Sequence, residues 1–122
     1  MLLEDAGLGD YIAHRIQRDS LVADLDEWRQ LIHRMKHLDD PVRIAVVGKY
    51  VELHDAYISV KEALVHAATA HGHSLEIEWV YSGDLEKGKG FDVLETVSGI
   101  VIPGGFGERG VEGKIMAARW AR

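Results

Sequence analysis

The sequence contains no cysteine, only two prolines and no excess of positive charge. Without cysteine, the 122 residues cannot form a disulfide, a thiolate metal site or a cysteine nucleophile. The formal net charge of −6 argues against a general nucleic-acid binder, since such proteins need a basic surface to neutralise phosphates. No apolar run approaches the ~20 residues that a membrane span requires. We therefore expect neither a nucleic acid nor a membrane as a partner.

The remaining composition is that of an ordinary globular protein. The hydrophobic share of 47% and the charged share of 28% are typical of soluble domains. The length corresponds to about one domain. The first residues, Met-Leu-Leu-Glu-Asp, lack the basic and apolar regions of a signal peptide. A cytoplasmic location is therefore expected.

The first forty residues have a helical pattern. Leu25, Trp28, Ile32 and Met35 recur at spacings of three and four, which predicts a helix with one apolar stripe that packs against a neighbouring element. Pro41 ends this pattern, because the residue before a proline avoids the helical region. The clearest boundary in the chain therefore lies just before Pro41.

An alternation of strands and helices follows Pro41. The sequence predicts a buried strand at 42–48, then a helix from an N-cap at Asp55 to a C′ glycine at Gly72, and a second strand at 75–81 near a sheet edge. A short turn or helix around Phe91 to Leu94 is expected next. A third strand at 99–102 and a helix over 114–122 complete the predicted elements. This order predicts an α/β fold with a partial, doubly wound and mostly parallel sheet. Lys49 and Tyr50 follow the first strand, at the edge where open α/β sheets place ligand residues, so they are candidate contacts with a ligand or an interface.

The segment from Pro103 to Gly113 lies between the third strand and the last helix. Its final ten residues include five glycines, which allow positive φ angles and present N–H groups without a side chain. With a helix N-terminus beside it, such a loop suits an anion: a phosphate, a carboxylate or the oxyanion of an acyl-transfer intermediate.

Two phosphate-binding motifs compare poorly with this loop. Residues 105–110 match G-x-G-x-x-G, but the acidic residue expected about twenty positions later falls outside the 122 residues. A dinucleotide-binding domain is therefore the weaker alternative. A P-loop is rejected because Lys114 is followed by Ile115 and not by a serine or threonine.

The seven histidines do not predict a metal site. His33 and His37 are spaced four apart on a predicted helix, but no carboxylate or third ligand accompanies them. His71 and His73 flank Gly72, a spacing that directs them apart or into solvent. No serine lies in a G-x-S-x-G elbow, so a hydrolase triad cannot be assembled.

Two longer motifs resemble the CTP synthase family. They are Val46-Val-Gly-Lys-Tyr50, with the following Leu53, Asp55-Ala-Tyr57 and Ser59-Val60, and Pro103-Gly-Gly-Phe-Gly-x-Arg-Gly-Val-Glu-Gly113. Gly7-Leu8-x-Asp10-Tyr11-Ile12 is similar to the end of that family's amidoligase domain. The resemblance implies an amidoligase end at 1–17, a helical interdomain linker at 18–41 and, at 42–122, the N-terminal part of a glutamine amidotransferase domain with a class I, flavodoxin-like fold.

The family resemblance also implies a function. Such enzymes make CTP from UTP, ATP and glutamine. The resemblance also implies Mg as a cofactor, GTP as activator and a homotetrameric parent enzyme. In this sequence the glutamine and oxyanion residues would be Gly104, Gly105 and Phe106, with the Gly105 N–H at the oxyanion. Arg109, Gly110, Glu112 and Gly113 would form a lid that responds to GTP.

The resemblance implies no catalytic residue, metal ligand or bound cofactor within the 122 residues. The nucleophilic Cys and its His and Glu partners would lie beyond Arg122, and the ATP, UTP and Mg sites before Met1. We expect the chain to be inactive alone, to be marginally stable or self-associating, and to need the remainder of a CTP synthase chain as well as L-glutamine. A split-enzyme or interaction module completed by a partner chain is the alternative.

Overall fold

The computed structural model describes residues 2–18 and 23–122. These fall into two compact units, residues 1–37 and 38–122. The division of the chain at 17 and 41 that the family resemblance implies stays a prediction.

The first unit contains three helices. They are α1 (Leu2–Asp5), α2 (Leu8–Arg15) and α3 (Asp26–Lys36). The predicted helix over the Leu25 to Met35 stripe is confirmed as α3, with Leu25 as its N-cap. No described residue of the three helices is buried, and Trp28 is 60% exposed.

The second unit is built on a parallel sheet. Its elements are β1 (Pro41–Gly48), a 3₁₀ turn (His54–Tyr57), α4 (Ile58–Ala70), β2 (Ser74–Tyr81), α5 (Ser82–Leu85), α6 (Phe91–Leu94), β3 (Gly99–Val101) and α7 (Val111–Ala121). The strand order is β2-β1-β3, and β1 pairs in parallel with both neighbours. The predicted α/β fold with a parallel sheet and the position of the second strand at an edge are confirmed.

The core lies on one face of this sheet. Ala45 and Val47 of β1 pack with residues of β2 and of the helices that follow it, and the buried cluster consists of Ala45, Val47, Val80, Leu85, Leu94 and Ala117. Because successive strand residues point to opposite faces, Ile44 and Val46 face the other side. The continuous apolar run of β1 therefore reflects burial on both faces, as expected for the central strand of a parallel sheet.

Two predicted helix starts were wrong. Asp55 is not the N-cap of α4, because a 3₁₀ turn comes first and Tyr57 occupies the cap position. The last helix begins at Val111 and not at Lys114, after Gly110 in the left-handed region with φ 78°. The predicted C′ glycine of α4 is confirmed at Gly72, with φ 82°.

Candidate functional site

The ends of two adjacent strands define the candidate site. Lys49 and Tyr50 follow β1, and the loop 102–110 follows β3, which is the direct neighbour of β1 in the sheet. Along the chain, β2 is added to one side of β1 in the sheet, and β3 is then added to the opposite side of β1. This reversal of strand order is the place where open α/β sheets bind ligands, outside the carboxyl ends of the strands.

The centre of the loop presents unpaired amide groups. In the described part of the chain, the backbone N–H groups of residues 104–107 form no hydrogen bond. Gly104 and Gly105 are exposed, and the side chain of Phe106 is 97% exposed. An added Cβ at Gly104 would meet nothing within 4 Å. Four consecutive free N–H groups on an open loop are suited to donating hydrogen bonds to an anionic or carbonyl oxygen.

Two lysines hold the carbonyl groups of the same loop. Lys114 Nζ donates a hydrogen bond to the carbonyl oxygen of Pro103 at 2.7 Å, and Lys49 Nζ donates one to the carbonyl oxygen of Phe106. Lys49 is only 8% exposed. Burial, and secondarily the nearby ammonium of Lys49, lower the pKa of Lys114 from its usual value. Two lysine side chains therefore contact the backbone carbonyl groups of the loop.

Tyr57 fixes the end of β1 from which Lys49 projects. Its hydroxyl accepts hydrogen bonds from the backbone N–H of Lys49 at 3.1 Å and from that of Tyr50 at 3.3 Å. The ring is buried and stacks on Trp79 with centroids 6.0 Å apart. The 3₁₀ turn before α4 thus carries the side chain that satisfies the backbone where β1 ends.

Tyr50 connects this strand end to Arg109. Its ring lies 5.5 Å from the Arg109 guanidinium carbon and 5.3 Å from Lys49 Nζ, both within the range of a cation–π interaction. These residues line a cavity of about 360 Å³ together with Val51, Glu52, Leu53 and Tyr81. Lys49, Tyr50 and Arg109, which belong to two separate sequence motifs, therefore lie together.

The start of α7 is packed closely against α5. Gly113 is buried, and an added Cβ would overlap the carbonyl oxygen of Ser82. The Gly113 N–H donates to Glu86 Oε1 at 3.3 Å. Gly110 is also buried, and its Cβ position overlaps Ser82 Oγ. Close approach of the α5 backbone accounts for Gly113, whereas Gly110 is accounted for by its positive φ of 78° and by the nearby Ser82 side chain. Glu112 is exposed in the first turn of α7.

The site residues predicted from the sequence did not include Tyr57, Ser82, Glu86 or Lys114. Lys114 was considered only as a P-loop lysine, and the loop carbonyl that it contacts lies 11 residues away in sequence. No local pattern indicates such a contact. The tyrosine of Asp55-Ala-Tyr57 was part of the family motif, and this was the one available signal for its importance.

The hydroxyl of Ser82 leads to a stability prediction. Ser82 is fully buried, and its Oγ has no hydrogen-bond partner among the described residues. An unsatisfied buried hydroxyl costs about 1–3 kcal/mol. We therefore expect Ser82→Ala to leave the free energy of unfolding unchanged or to raise it by about 1 kcal/mol, as measured by urea unfolding.

Ser98→Ala is the matched control for this variant. Ser98 is exposed, so the substitution should change the free energy of unfolding by less than about 0.5 kcal/mol. A loss of more than about 1 kcal/mol in Ser82→Ala would mean that its hydroxyl has a partner and would contradict the prediction.

The histidines occupy other places. The rings of His33, in α3, and of His37, its C-cap, stack on each other with centroids 4.2 Å apart. His73 Nδ1 lies 3.1 Å from Asp40 Oδ2. Within residues 2–18 and 23–122, no group of three or more His, Cys, Asp or Glu side chains is arranged to hold a metal ion. Across the same residues, no helix combines the length and hydropathy that a bilayer crossing demands.

Comparisons with known proteins agree with this architecture. The family model for class-I glutamine amidotransferases matches residues 52–122. The whole chain is 51% identical to a CTP synthase from Roseiflexus sp. and 46% identical to one from Moorella thermoacetica. In both cases it spans 22% of the relative's length.

A solved structure is similar as well. It is a Trypanosoma brucei CTPS glutaminase domain with bound acivicin, with a TM-score of 0.57 and 41% sequence identity. The match covers 66% of this chain and 32% of the solved one. The family model, the relatives and the parallel sheet lead to one conclusion: this chain belongs to the class-I glutamine amidotransferase family and is similar over its full length to CTP synthases.

Proposed function

We propose that this chain supplies the glutamine-binding loop of a glutamine-dependent CTP synthase. The observation that carries the proposal is the set of four unpaired N–H groups, residues 104–107, at the carboxyl end of β3. The family membership of residues 52–122 gives these donors a substrate class, the glutamine side-chain amide. The relatives named as CTP synthases give the reaction that consumes the released ammonia.

The chemistry of amide cleavage explains the need for such a loop. Attack on the carboxamide carbon of glutamine converts its carbonyl oxygen into an oxyanion. In this proposal the N–H of Gly105 donates to that oxygen, Gly104 shapes the turn, and Phe106 lies beside the bound glutamine. A preorganised donor of this kind is typically worth about 10²–10³ in rate. The exposure of the Phe106 ring leaves it free to contact a ligand.

The residues that follow the four N–H donors at 104–107 are proposed to form a lid that responds to GTP. They are Arg109, Gly110, Glu112 and Gly113. Arg109 is exposed and reaches the site through the ring of Tyr50, a surface contact that a ligand could replace. Gly110 and Gly113 would anchor the lid to α5, since both are buried against Ser82. Through the contacts of the Tyr50 ring with Arg109 and Lys49, a movement of the lid would then affect the end of β1.

The proposed parent protein uses ATP and Mg to activate UTP and adds ammonia released from glutamine. It would act in the cytoplasm as a homotetramer, with GTP as activator. The 122 residues contain no cysteine, so the nucleophile must come from other sequence, which makes the remainder of a CTP synthase chain the necessary partner.

A chimaera tests the proposed function. The 122 residues would replace the matching segment of the Roseiflexus sp. CTP synthase, to which they are 51% identical. We expect CTP formation from UTP and ATP with glutamine as nitrogen donor. Added ammonia bypasses glutamine hydrolysis, so it serves as the internal control for the synthase reaction. A chimaera that makes CTP from ammonia but not from glutamine would show that the glutaminase assignment is wrong.

The isolated chain provides the complementary prediction. Because it carries no cysteine nucleophile, the purified 122-residue protein should release no glutamate from glutamine above background. The measurement is a coupled glutamate assay, with the chimaera as the positive control. Turnover by the isolated chain would overturn this prediction.

A further inference from the structure

We propose that Lys49 and Lys114 are positioning residues that set the orientation of the peptide groups in the oxyanion loop. The inference rests on the function proposed above, in which the loop at residues 104–107 receives the developing negative charge of the glutamine amide. It assigns these two lysines a role in glutamine hydrolysis without requiring either to touch the substrate.

The orientation follows from the planarity of the peptide group. No described peptide bond is cis, and in a trans peptide the C=O and N–H groups point in opposite directions. Lys114 Nζ holds the carbonyl oxygen of Pro103, so the N–H of Gly104 points away from Lys114. Lys49 Nζ holds the carbonyl oxygen of Phe106, so the N–H of Gly107 points away from Lys49.

The peptide that carries the Gly105 N–H lies between these two held peptides, next to the first and one peptide away from the second. The peptide between Gly104 and Gly105 has neither its C=O nor its N–H engaged within the described residues. Its orientation is therefore limited directly by the held peptide before it and, through the 105–106 peptide, by the held peptide at 106–107. Glycine lacks the Cβ that restricts φ and ψ, so a glycine-rich loop without such contacts would sample many orientations. The lysines offset this freedom.

The charges of the two lysines also favour the proposed role. Neither ammonium lies within 4.0 Å of a carboxylate among the described residues. Both ammonium groups are within contact distance of the loop. Lys49 Nζ is 3.8 Å from the Cβ position of Gly107, and Lys114 Nζ is 3.8 Å from that of Gly105. A charged donor polarises the peptide that it binds and so strengthens the N–H on the opposite side. Two unneutralised cations are costly in a resting protein but useful beside a developing oxyanion.

A purely structural role would predict a different outcome from mutation. If the lysines only held the loop to the fold, their loss would impair every activity of the protein that depends on folding. If they position the donors, the loss is confined to the glutamine reaction and appears mainly in kcat, because the donors contact the oxygen most strongly in the transition state. An arginine variant keeps a charged donor on a side chain of different length, so it should retain more of the glutamine-dependent activity than a methionine variant.

The first test uses the chimaera. We expect Lys114→Met and Lys49→Met each to lower the glutamine-dependent kcat about 10- to 100-fold, with a smaller change in the KM for glutamine and no change in the ammonia-dependent rate. Lys114→Arg should recover part of the loss. Lys89→Met is the control, since Lys89 is exposed and lies outside the site, and it should change neither rate. Equal losses with glutamine and ammonia, or no loss with either, would overturn the inference.

The second test measures the contact directly in the 122-residue chain. In carbon-detected NMR, the Pro103 carbonyl carbon should shift as Lys114 loses its proton, at a pH below the usual lysine pKa. The shift should vanish in Lys114→Met, and in Lys114→Arg it should not titrate, because arginine stays protonated. A Pro103 signal that ignores pH, or that titrates unchanged in Lys114→Met, would overturn the inference.

Together the two tests separate the inference from the proposed function. If the unmodified chimaera cannot use glutamine but the Pro103 carbonyl follows Lys114, the proposed function is wrong and the catalytic role of the lysines is overturned with it, while their contact with the loop stands. If the chimaera uses glutamine and the methionine variants match it, only the positioning role is wrong.

Discussion

Gly105→Pro in the chimaera is expected to lower the glutamine-dependent rate about 10²–10³-fold, equivalent to about 3–4 kcal/mol of transition-state stabilisation. Proline has no backbone N–H, so the variant removes the proposed oxyanion donor and leaves the chain otherwise continuous. The preceding Gly104 tolerates the extended conformation that a following proline requires. The measurement is the initial rate of CTP formation with glutamine, set against the rate with ammonia, which should remain unchanged.

Gly105→Ala is the matched control for the missing N–H. Alanine retains the donor, and its Cβ would make ordinary contacts at 3.6 Å with Lys49 Cε and 3.8 Å with Lys114 Nζ. It should therefore retain most of the glutamine-dependent rate. If the alanine variant loses as much as the proline variant, the space around residue 105 and not its N–H is what matters. If the proline variant retains full activity, Gly105 is not the oxyanion donor.

Gly113→Ala is expected to destabilise the chain by about 2–4 kcal/mol. The added methyl group would overlap the Ser82 carbonyl oxygen and lie 2.7 Å from its carbonyl carbon. These are backbone atoms of a fully buried residue, so they cannot rotate aside. Relief requires α7 to move away from α5, which would also break the hydrogen bond from the Gly113 N–H to Glu86. Urea unfolding monitored by far-ultraviolet circular dichroism measures the effect.

The sign of the change in the free energy of unfolding distinguishes close packing from helix propensity. Helix propensity alone predicts that alanine in place of a helical glycine stabilises by roughly 1 kcal/mol. Gly104→Ala, which meets nothing within 4 Å, is the control and should change the free energy of unfolding by less than about 0.5 kcal/mol. A stabilised Gly113→Ala variant would show that α7 does not approach α5 as closely as described.

Much of the fold could be predicted because it depends on local patterns. The apolar run of β1 and the three- and four-residue spacing of α3 each lie within one short stretch of sequence, and both elements were confirmed. The glycine-rich turn after β3 was also evident from composition alone. The wrong helix starts, at Asp55 and Lys114, came from capping rules that allowed for neither the 3₁₀ turn before α4 nor the entry of α7 through Gly110.

The sequence by itself determined the order of strands and helices, the place of the glycine loop and the absence of a cysteine nucleophile, because these depend on residue identity and short-range spacing. Only the tertiary structure decided which side chains support the loop. Lys49 and the Phe106 carbonyl are 57 residues apart, and Glu86 and Gly113 are 27 apart. Such contacts arise when parallel strand pairing brings β1 and β3 side by side and packs α7 on α5. They depend on that packing, which no local periodicity encodes.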